Sequence, residues 1–368
     1  FLIGIGFSPF SSFDFIKERF IDSGIIDFWE KNKNAYVIET AAPHIRITTS
    51  LDHKFFVLRK GFATECITKE LSKNGLLLMP EKINITAEPV LIDNTLNYEY
   101  KILDSGRKLI KDKRIKNNLF QRELAKKIGV SQTTISTIEL GKINFLKETL
   151  VKLCDSLGID FYYFIHNHCE TTSNVKLPII LDRKCCQIAG YFIGDGNFEN
   201  KDRLGFSEQD KEVADYYFRL IREYFNTNVS IKFREKKSYY QLRVYGRPII
   251  RFFRNNFAKK NALECSVPKN IMITPNSSIA GFLRGIFDAE GYVTKDEISL
   301  GMASKRFIHE IYLILLRFGI LSSISVYDNK GNPYSKNFRY TLRICDKTSL
   351  SRFVEEIGFE LGRRNRKD

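Results

Sequence analysis

Two nine-residue segments of this chain each place an acidic residue just before a closing glycine. The first, IAGYFIGDG, covers 188–196 and has Asp195 at its eighth position; the second, LRGIFDAEG, covers 283–291 and has Glu290 there. Two carboxylates held beside a phosphate can bind a divalent metal ion through oxygen, with Mg²⁺ as the expected ion. Such a metal can activate water and stabilise the leaving oxygen during phosphodiester hydrolysis. The paired acids therefore predict a hydrolytic site, provided that the two segments meet.

Small residues in both segments indicate how they could meet. Those spaced by four, and so on one helix face, are Gly190 and Gly194 in the first segment and Gly285 and Ala289 in the second. Glycine costs a helix interior up to ~1 kcal/mol relative to alanine, so its placement needs a packing reason. Packing of these faces against each other would form a seam between the two helices and bring the two acids together at one end of it. The alternative is a pair of ordinary buried helices with incidental acids.

Each acidic segment opens one copy of a longer pattern. From 179 onward, apolar residues alternate between helical and strand-like spacing in the order helix, strand, strand, helix, strand, strand, helix, and then repeat that order. The copies cover 179–260 and 266–368. This internal duplication predicts an α+β domain over 179–368, built from two pseudo-symmetric αββαββα halves.

The duplicated segments resemble the LAGLIDADG (dodecapeptide) homing endonucleases, including those embedded in inteins. The resemblance extends to SVPKNI at 266–271, LLRFGILSSI at 315–324 and FVEEIGF at 353–359. It implies two antiparallel sheets that form a saddle over the major groove of double-stranded DNA. It also implies a monomer that cuts both strands of an asymmetric target.

The resemblance further implies where the metal lies. The predicted catalytic acids are Asp195 and Glu290, and the predicted Mg²⁺ site comprises these two residues with the preceding Gly194 and Ala289. The second motif departs from the family in having Arg284 where alanine is usual. That departure removes neither acid.

Basic and amide side chains on the predicted strands are candidates for DNA contacts. The candidates are Lys232, Arg234, Gln241 and Arg243 in the first half, with Arg247 beside them, and Arg339 and Arg343 in the second. Arginine and glutamine suit the edges of guanine and adenine in the major groove. The family also uses a lysine near each scissile phosphate, for which Lys232 and Lys269 are candidates. Solvated strand faces would explain the same charges.

A separate pattern lies at 120–142, FQRELAKKIGVSQTTISTIELGK, within a helical zone at 106–165. Ala125 is small enough for a close helix crossing, Gly129 permits a turn, and Ser131 can cap the next helix. From Gln121 to Gly141 the segment resembles the Cro/CI-type helix-turn-helix. The resemblance implies an all-α domain whose second helix enters the major groove.

This helix-turn-helix adds a second set of candidate DNA contacts. Those expected at the bases are Gln132, Thr133, Thr134 and Thr137, and those expected at phosphates are Gln121, Lys142 and Asn144. Ser131 is a further candidate for DNA binding. A helical bundle without DNA contact is the alternative. On this module alone the protein would be a transcription regulator with a non-cleaving LAGLIDADG domain, and the two matching acids argue against that function.

Residues 1–100 are rich in β-branched and aromatic residues with short turns, which predicts a β-rich region. ITTSLDHKFFVL at 47–58 and ECITKELSKNGLLLMP at 65–80 resemble the central block of Hint (intein-type) domains. Ser50 stands for the usual threonine and His53 matches. The first residue, Phe1, is not a splicing nucleophile, so we expect a degenerate Hint-like remnant that does not splice. A plain β-rich domain is the alternative.

Composition agrees with a nucleic-acid partner. The 368 residues carry a formal net charge of +15, and lysine and arginine that neutralise phosphates supply affinity for any DNA sequence. The seven cysteines form no C-x-x-C pair, which argues against a zinc site or a disulfide framework. No apolar run approaches the ~18 residues that a membrane span requires. We therefore expect a cytoplasmic protein with no membrane partner.

Overall fold

A computed structural model describes residues 10–14, 19–23, 31–199, 203–258, 261–328 and 337–359. Contacts group the chain into two compact units. One unit comprises Phe1–Val90, Leu181–Asp195 and Lys259–Asp368; the other comprises Leu91–Ile180 and Gly196–Ala258. These boundaries cut across the predicted zones, because the helix-turn-helix zone shares a unit with the first sheet of the duplicated domain. None of the described helices is both long and apolar enough to cross a bilayer.

The N-terminal zone forms antiparallel hairpins, in agreement with its β-rich composition. The paired strands are β1 (Phe10–Asp14) with β2 (Arg19–Ser23), β3 (Ala35–Glu39) with β4 (Arg46–Ser50), and β5 (Lys54–Arg59) with β6 (Phe62–Ile67). Ser50 ends β4, and His53 precedes β5 with its ring edge-on to Phe55. Val57 on β5 and Cys66 on β6 are buried. The Hint likeness of this zone stays a prediction.

The helix-turn-helix zone has its own apolar core. Its helices are α1 (Asp104–Lys116), α2 (Gln121–Ile128), α3 (Gln132–Glu139), α4 (Lys147–Leu157) and α5 (Phe161–His168). Leu124 and Ala125 on α2 pack with Ile135 on α3 in this core. Gly129 ends α2 at φ +75°, a left-handed conformation that favours glycine. The Ser131 hydroxyl accepts a hydrogen bond of 3.1 Å from the Thr134 amide, which confirms the predicted cap of α3.

A small sheet supplements the helices that the sequence predicted for this zone. It consists of β7 (Glu99–Ile102), paired on one side with β8 (Phe145–Leu146) and on the other with β9 (Cys169–Thr171). These strands are two to four residues long, too short to give a periodic signal in the sequence. The zone is therefore not purely helical.

The segment after β9 is hydrogen-bonded both to Tyr98, which precedes β7, and to the first half of the duplicated domain, within the same unit. The Tyr98 hydroxyl accepts a hydrogen bond from the Leu177 amide and donates one to the Val175 carbonyl, both at 3.0 Å. The Asn226 side chain donates to the Asn174 carbonyl at 2.9 Å. Residues 172–178 have the polar composition of a linker, yet they are anchored on both sides.

The duplicated domain has the predicted element order in both halves. The first half contains α6 (Arg183–Asp195), β10 (Gly196–Glu199), β11 (Arg203–Glu208), α7 (Lys211–Phe225), β12 (Val229–Arg234), β13 (Tyr239–Tyr245) and α8 (Arg247–Asn256). After the short α9 (Lys269–Met272), the second half contains α10 (Asn276–Glu290), β14 (Gly291–Val293), β15 (Ile298–Met302), α11 (Lys305–Leu315), β16 (Ser323–Tyr327), β17 (Arg339–Ile344) and α12 (Lys347–Glu356). Both halves are therefore αββαββα, and the α+β prediction is confirmed.

Each half contains one four-stranded antiparallel sheet with the same strand order. The orders are β10-β11-β13-β12 and β14-β15-β17-β16. Successive side chains of a strand point to opposite faces, so each sheet has an apolar face and a polar face. On the apolar faces, Phe206 pairs with Leu242 and Leu300 pairs with Leu342, and all four side chains are buried. Fully burying such a side chain contributes ~1.5–3 kcal/mol, which holds the opposite, polar face outward.

Arg317 fixes the start of α10. Its guanidinium is buried and donates to the Asn276 side chain at 2.9 Å, to the Met272 carbonyl at 3.1 Å and to the Thr274 carbonyl at 3.0 Å. These acceptors lie in the turn that leads from α9 into α10. Burial lowers the pKa of Arg317 to about 10, so the side chain stays charged at neutral pH.

Candidate functional site

The helices α6 and α10 approach so closely that their glycines cannot carry a side chain. A Cβ at Gly190 would lie 2.2 Å from the Phe282 carbonyl oxygen, and one at Gly285 would lie 2.0 Å from the Gln187 oxygen. Real Cβ atoms essentially never come within 3.0 Å of another atom. The packing predicted from the four-residue spacing is therefore confirmed, and Gly190 and Gly285 are its contact points.

A third glycine of the seam is one that we did not predict. A Cβ at Gly281 would lie 2.1 Å from the Arg183 carbonyl oxygen. Gly281 precedes Gly285 by four residues, so the spacing that marked the other positions extends to it. Its counterpart in the first segment, Cys186, is not a glycine, and the repeat alignment therefore gave no signal there.

The seam ends beside the two predicted catalytic acids. Asp195 is the last residue of α6 and Glu290 is the last residue of α10. A Cβ at Gly194 would lie 2.3 Å from the Ala289 Cβ and 3.3 Å from the Glu290 Cγ. Both acids are partly exposed, although the residues one turn earlier are buried. The close approach thus sets the end of α6 against the acid of α10.

The end of this seam offers oxygen ligands rather than a preformed cage. Within the described ranges, no group of three or more histidine, cysteine or acidic side chains is placed to hold a metal. The negative end of a helix dipole lies at the C-terminus, so the ends of α6 and α10 add to the field of the carboxylates there. Mg²⁺ is commonly bound by one or two carboxylates while it keeps several waters. The two carboxylates could therefore hold a divalent ion that keeps several of its water ligands.

Arg284, where the second motif departs from the family, has a structural partner. Its Nε donates to the Ile357 carbonyl at 2.7 Å, just after α12. The side chain therefore points from α10 toward the end of its own half. The departure joins two helices of that half.

The candidate residues of the first half lie on the polar face of its sheet. Gln241 and Arg243 alternate with the buried Leu242 and Val244 on β13, as their spacing predicts. Lys232 on the neighbouring β12 is exposed. Arg247 is the first residue of α8, and its guanidinium lies 3.6 Å from the Glu99 carboxylate. Lys269, the other candidate lysine, is the first residue of α9.

Arg339 and Arg343 share the polar face of the second sheet. Arg339 extends over Gly301, where a Cβ would lie 2.5 Å from the Arg339 Nε. Arg343 donates to the Tyr327 hydroxyl, and its guanidinium lies over that ring at 5.6 Å. Its Nε is 3.6 Å from the Glu297 carboxylate, beyond hydrogen-bonding distance.

Strand registers match Arg243 with Arg343. Gly196, which follows the acid of the first half, pairs with Phe206, and the next strand pairs Phe206 with Leu242. In the second half Gly291 pairs with Leu300, which pairs with Leu342. Arg243 and Arg343 each follow that last leucine. They therefore hold equivalent positions, a match that sequence spacing could not give because the loops differ in length.

The helix-turn-helix candidates divide into exposed and engaged side chains. Gln132 and Thr133 are exposed at the start of α3, and Lys142 and Asn144 are exposed after it. Thr134 bonds the Ser131 hydroxyl at 2.9 Å, and Thr137 donates to the Thr134 carbonyl at 2.8 Å. Gln121 donates to Glu139 at 2.9 Å, so its amide is held within the domain.

Glu139 joins three of the helices. Arg114 on α1 donates to both its carboxylate oxygens, at 2.7 and 3.2 Å, and Gln121 on α2 shares one of them. Burial opposes the charged form of Glu139, but the hydrogen bonds from Arg114 and Gln121 outweigh it. They hold the pKa of Glu139 below its usual value.

Comparisons with known proteins follow these divisions of the chain. The family profile described as LAGLIDADG-like domain matches residues 184–257 and 277–358, and the helix-turn-helix profile matches 110–164. Crystal structures with a similar chain include that of I-DmoI in complex with DNA and Mn. That chain is 18% identical, and the match covers 48% of this chain and 97% of that one, with a TM-score of 0.37. Full-length DUF199/WhiA from Thermatoga maritima is 17% identical over 51% of this chain and 58% of that one, also with a TM-score of 0.37.

Curated relatives match this chain with only part of their own length. A glutamine–fructose-6-phosphate aminotransferase of Methanocaldococcus jannaschii is 35% identical over 336 residues, which are 89% of this chain and 30% of that protein. A replication factor C small subunit of the same organism is 28% identical over 62% of this chain and 12% of that protein. A DNA polymerase of Thermococcus litoralis is 25% identical over 68% of this chain and 14% of that protein. The names denote unrelated activities, so they do not transfer to the shared segment. The profile matches show that this chain contains a LAGLIDADG-like domain and a helix-turn-helix domain, and the two αββαββα halves agree with the first of these.

Proposed function

We propose that this chain is a site-specific endonuclease that cuts both strands of DNA with a divalent metal ion, as homing endonucleases do. The observation that carries the proposal is the glycine seam between α6 and α10. It sets the end of α6, where Asp195 lies, against Glu290 at the end of α10. A protein that only binds DNA has no use for two acids at matching helix ends.

In this proposal Asp195 and Glu290 are the catalytic acids and hold Mg²⁺, and the neighbouring Gly194 and Ala289 complete the protein side of the site. The bound metal would supply activation of water and stabilisation of the leaving oxygen. The chain itself keeps the two carboxylates outside the apolar core, at the ends of α6 and α10. The helix seam fixes the distance between them. Both polar faces of the sheets then position the DNA.

The proposed DNA contacts are those predicted from the sequence, on the two sheets and on α3. Lys232, Gln241, Arg243, Arg339 and Arg343 stand on the outward faces of the sheets, which favours this role. The helix-turn-helix adds affinity or a second recognition site. A monomer suffices, because one chain carries both halves.

The test is substitution of each acid by its amide, Asp195→Asn and Glu290→Gln, in the full chain. Targets are first selected from a randomised duplex library by cleavage with Mg²⁺. Each variant should lose cleavage of the selected target, because an amide is a poor metal ligand, but should bind that target within a few-fold of wild type in Ca²⁺. Undiminished cleavage by either variant would reject the assignment.

Asp296→Asn provides the matched control. Asp296 is exposed in the turn between β14 and β15, so its substitution makes the same charge change in the same half. Cleavage by this variant should equal that of wild type. Equal losses in D296N and E290Q would mean that net charge, rather than the site, determines the rate.

The second candidate function is a DNA-binding regulator, and the complete core of the helix-turn-helix domain favours it. A regulator would bind a selected duplex without cutting it. Sequence-specific binding with no cleavage in Mg²⁺, Mn²⁺ or Co²⁺ would support this function over the endonuclease. Deletion of 106–165 would then abolish binding rather than weaken it.

A further inference from the structure

A chain of hydrogen bonds crosses the polar face of the first sheet and ends on Glu199, a residue that our sequence analysis did not select. Arg243 Nε donates to one carboxylate oxygen of Glu199 at 2.7 Å, and Gln241 Nε2 donates to the other at 2.5 Å. Arg234 in turn donates to Gln241 Oε1, through Nε at 2.7 Å and Nη2 at 2.5 Å. Two candidate base-reading residues are therefore held directly by one carboxylate, and Arg234 is joined to it through Gln241.

Glu199 is chemically unusual on this face. Register places it there with four basic side chains, which are Arg203, Lys232, Arg234 and Arg243. Among the described strand residues of this sheet it is the acid on the polar face, since Glu208 lies on the buried one. An acid weakens the attraction of such a surface for phosphates. Its presence therefore needs a reason other than general DNA affinity.

The sheet is shaped to admit this carboxylate. Glu199 lies on the edge strand β10, whereas Gln241 and Arg243 lie on β13, and β11 runs between them. The residue of β11 at the crossing is Gly205, where a Cβ would lie 2.7 Å from Glu199 Oε1 and 2.6 Å from Asn197 Oδ1. The missing side chain at Gly205 lets Glu199 reach across the intervening strand. Its side chain is only 15% exposed there.

The network fixes which donors and acceptors face outward. Gln241 must direct its oxygen to Arg234 and its amide nitrogen to Glu199, because the flipped amide would oppose donor to donor. Arg243 uses Nε for Glu199, so Nη1 and Nη2 are the donors it can direct at another group. Two terminal guanidinium nitrogens match the O6 and N7 acceptors of guanine in the major groove. A side chain already held in that orientation loses less conformational entropy on binding.

We propose that Glu199 determines base specificity by holding Arg243 and Gln241 in position on the first sheet, with Arg243 directed at a guanine. The role is one of positioning, since Glu199 acts through its two partners. The inference rests on the proposed recognition of DNA by this sheet, and it does not depend on cleavage. The equivalent arginine of the second half, Arg343, has a looser carboxylate neighbour at 3.6 Å, so the first half should show the stronger effect.

The experiment is a binding selection on a randomised duplex library in Ca²⁺, with the full chain, followed by sequencing. Wild type should select a guanine at one base pair whose preference disappears in Arg243→Gln. Glu199→Gln should relax the preference at that same base pair. The preference is measured as the dissociation constant for a duplex in which that guanine is replaced by another base, divided by the dissociation constant for the selected duplex. This ratio should fall about tenfold in E199Q. Its affinity for an unrelated duplex should not fall, because the variant removes a negative charge.

Two further variants test whether the effect comes from the position of the carboxylate or only from its charge. Gly205→Ala, which adds a methyl group where the carboxylate now lies, should reproduce the loss of preference with Glu199 still present. Glu235→Gln makes the same charge change in the exposed turn between β12 and β13 and should leave the preference intact. Equal effects in E235Q and E199Q would overturn the positioning role.

Three other outcomes would also overturn it. They are an unchanged preference in E199Q, an equal loss of affinity for all duplexes in E199Q, and the absence of any selected sequence for wild type. The two proposals fail separately. Selection without cleavage would reject the endonuclease and leave Glu199 in its role, whereas cleavage with an unchanged E199Q preference would reject only the role of Glu199.

Discussion

Replacement of Gly190 by alanine tests the helix seam directly, because the added atom meets backbone that cannot rotate away. Its Cβ would lie 2.2 Å from the Phe282 oxygen and 2.9 Å from the Ile286 nitrogen, against 3.4 Å for the shortest ordinary contact. The helices must therefore separate by about 1.2 Å along that direction. Overpacking of this kind costs ~1–3 kcal/mol. Alanine regains up to ~1 kcal/mol of helix propensity. We expect a net loss of ~1–2 kcal/mol.

The same displacement should affect cleavage more than stability. Misplacement of catalytic groups by ~1 Å can cost ~10²-fold in rate. The free energy of unfolding is measured by urea denaturation, and cleavage is measured by single-turnover kinetics on the selected target. We expect G190A to cleave ~10²-fold more slowly and to bind the target in Ca²⁺ nearly as well as wild type.

Ser277→Ala controls for helix propensity, since Ser277 lies on α10 with an exposed side chain. The double variant G190A/G285A should lose less than the sum of the single losses, because one separation relieves both contacts. A G190A protein that is as stable as wild type or more so, with unchanged cleavage, would refute the close approach of the backbones.

Three other predictions follow from contacts described above. Arg317→Met should destabilise the unit that contains α10 by at least ~3 kcal/mol, since three carbonyl or amide acceptors lose a charged donor; a loss below ~1 kcal/mol in urea denaturation would contradict this. Glu139 has a pKa below its usual 4.5, so its stabilisation is complete well above that pH and is lost as the pH falls through the lower folded-state pKa. The melting temperature of the helix-turn-helix domain should therefore fall below pH 4.5, and less steeply in Glu139→Gln; identical slopes would reject the ion pair as the cause. Tyr98→Phe, which removes the hydroxyl that bonds Val175 and Leu177 at 3.0 Å, should speed trypsin cleavage after Lys176 about tenfold, followed by mass spectrometry; an unchanged rate would mean that these bonds do not anchor 172–178.

The periodicity of the sequence predicted most of the fold and part of the candidate site. The four-residue spacing of Gly190 with Gly194, and of Gly285 with Ala289, predicted the seam, because a close helix crossing admits only small residues at the contact. The alternation on β13 likewise predicted the face of Gln241 and Arg243, because a half-buried strand repeats every two residues. These signals are local, so one sequence displays them.

The features that the sequence did not predict depend on strand register or lie in very short strands. Glu199 reaches Arg243 only because β10 and β13 lie on either side of β11 at Gly205. No spacing along the chain indicates that these residues are neighbours. The strands β7, β8 and β9 are too short for a periodic signal. The identity of Arg343 as the counterpart of Arg243 required both registers, since the halves differ in loop length.

The anchored segment 172–178 has a consequence for the kinds of target change this protein could follow. The helix-turn-helix and the first sheet belong to one compact unit, so under the proposed function the protein fixes the distance between the base pairs that the two would read. One inserted base pair moves a DNA site by about 3.4 Å and rotates it by about 34° around the duplex axis. Neither displacement can be absorbed by slack in the chain. Under the proposed function, the target would drift by exchange of bases, whereas a single insertion or deletion between the two read segments would end recognition by one of them.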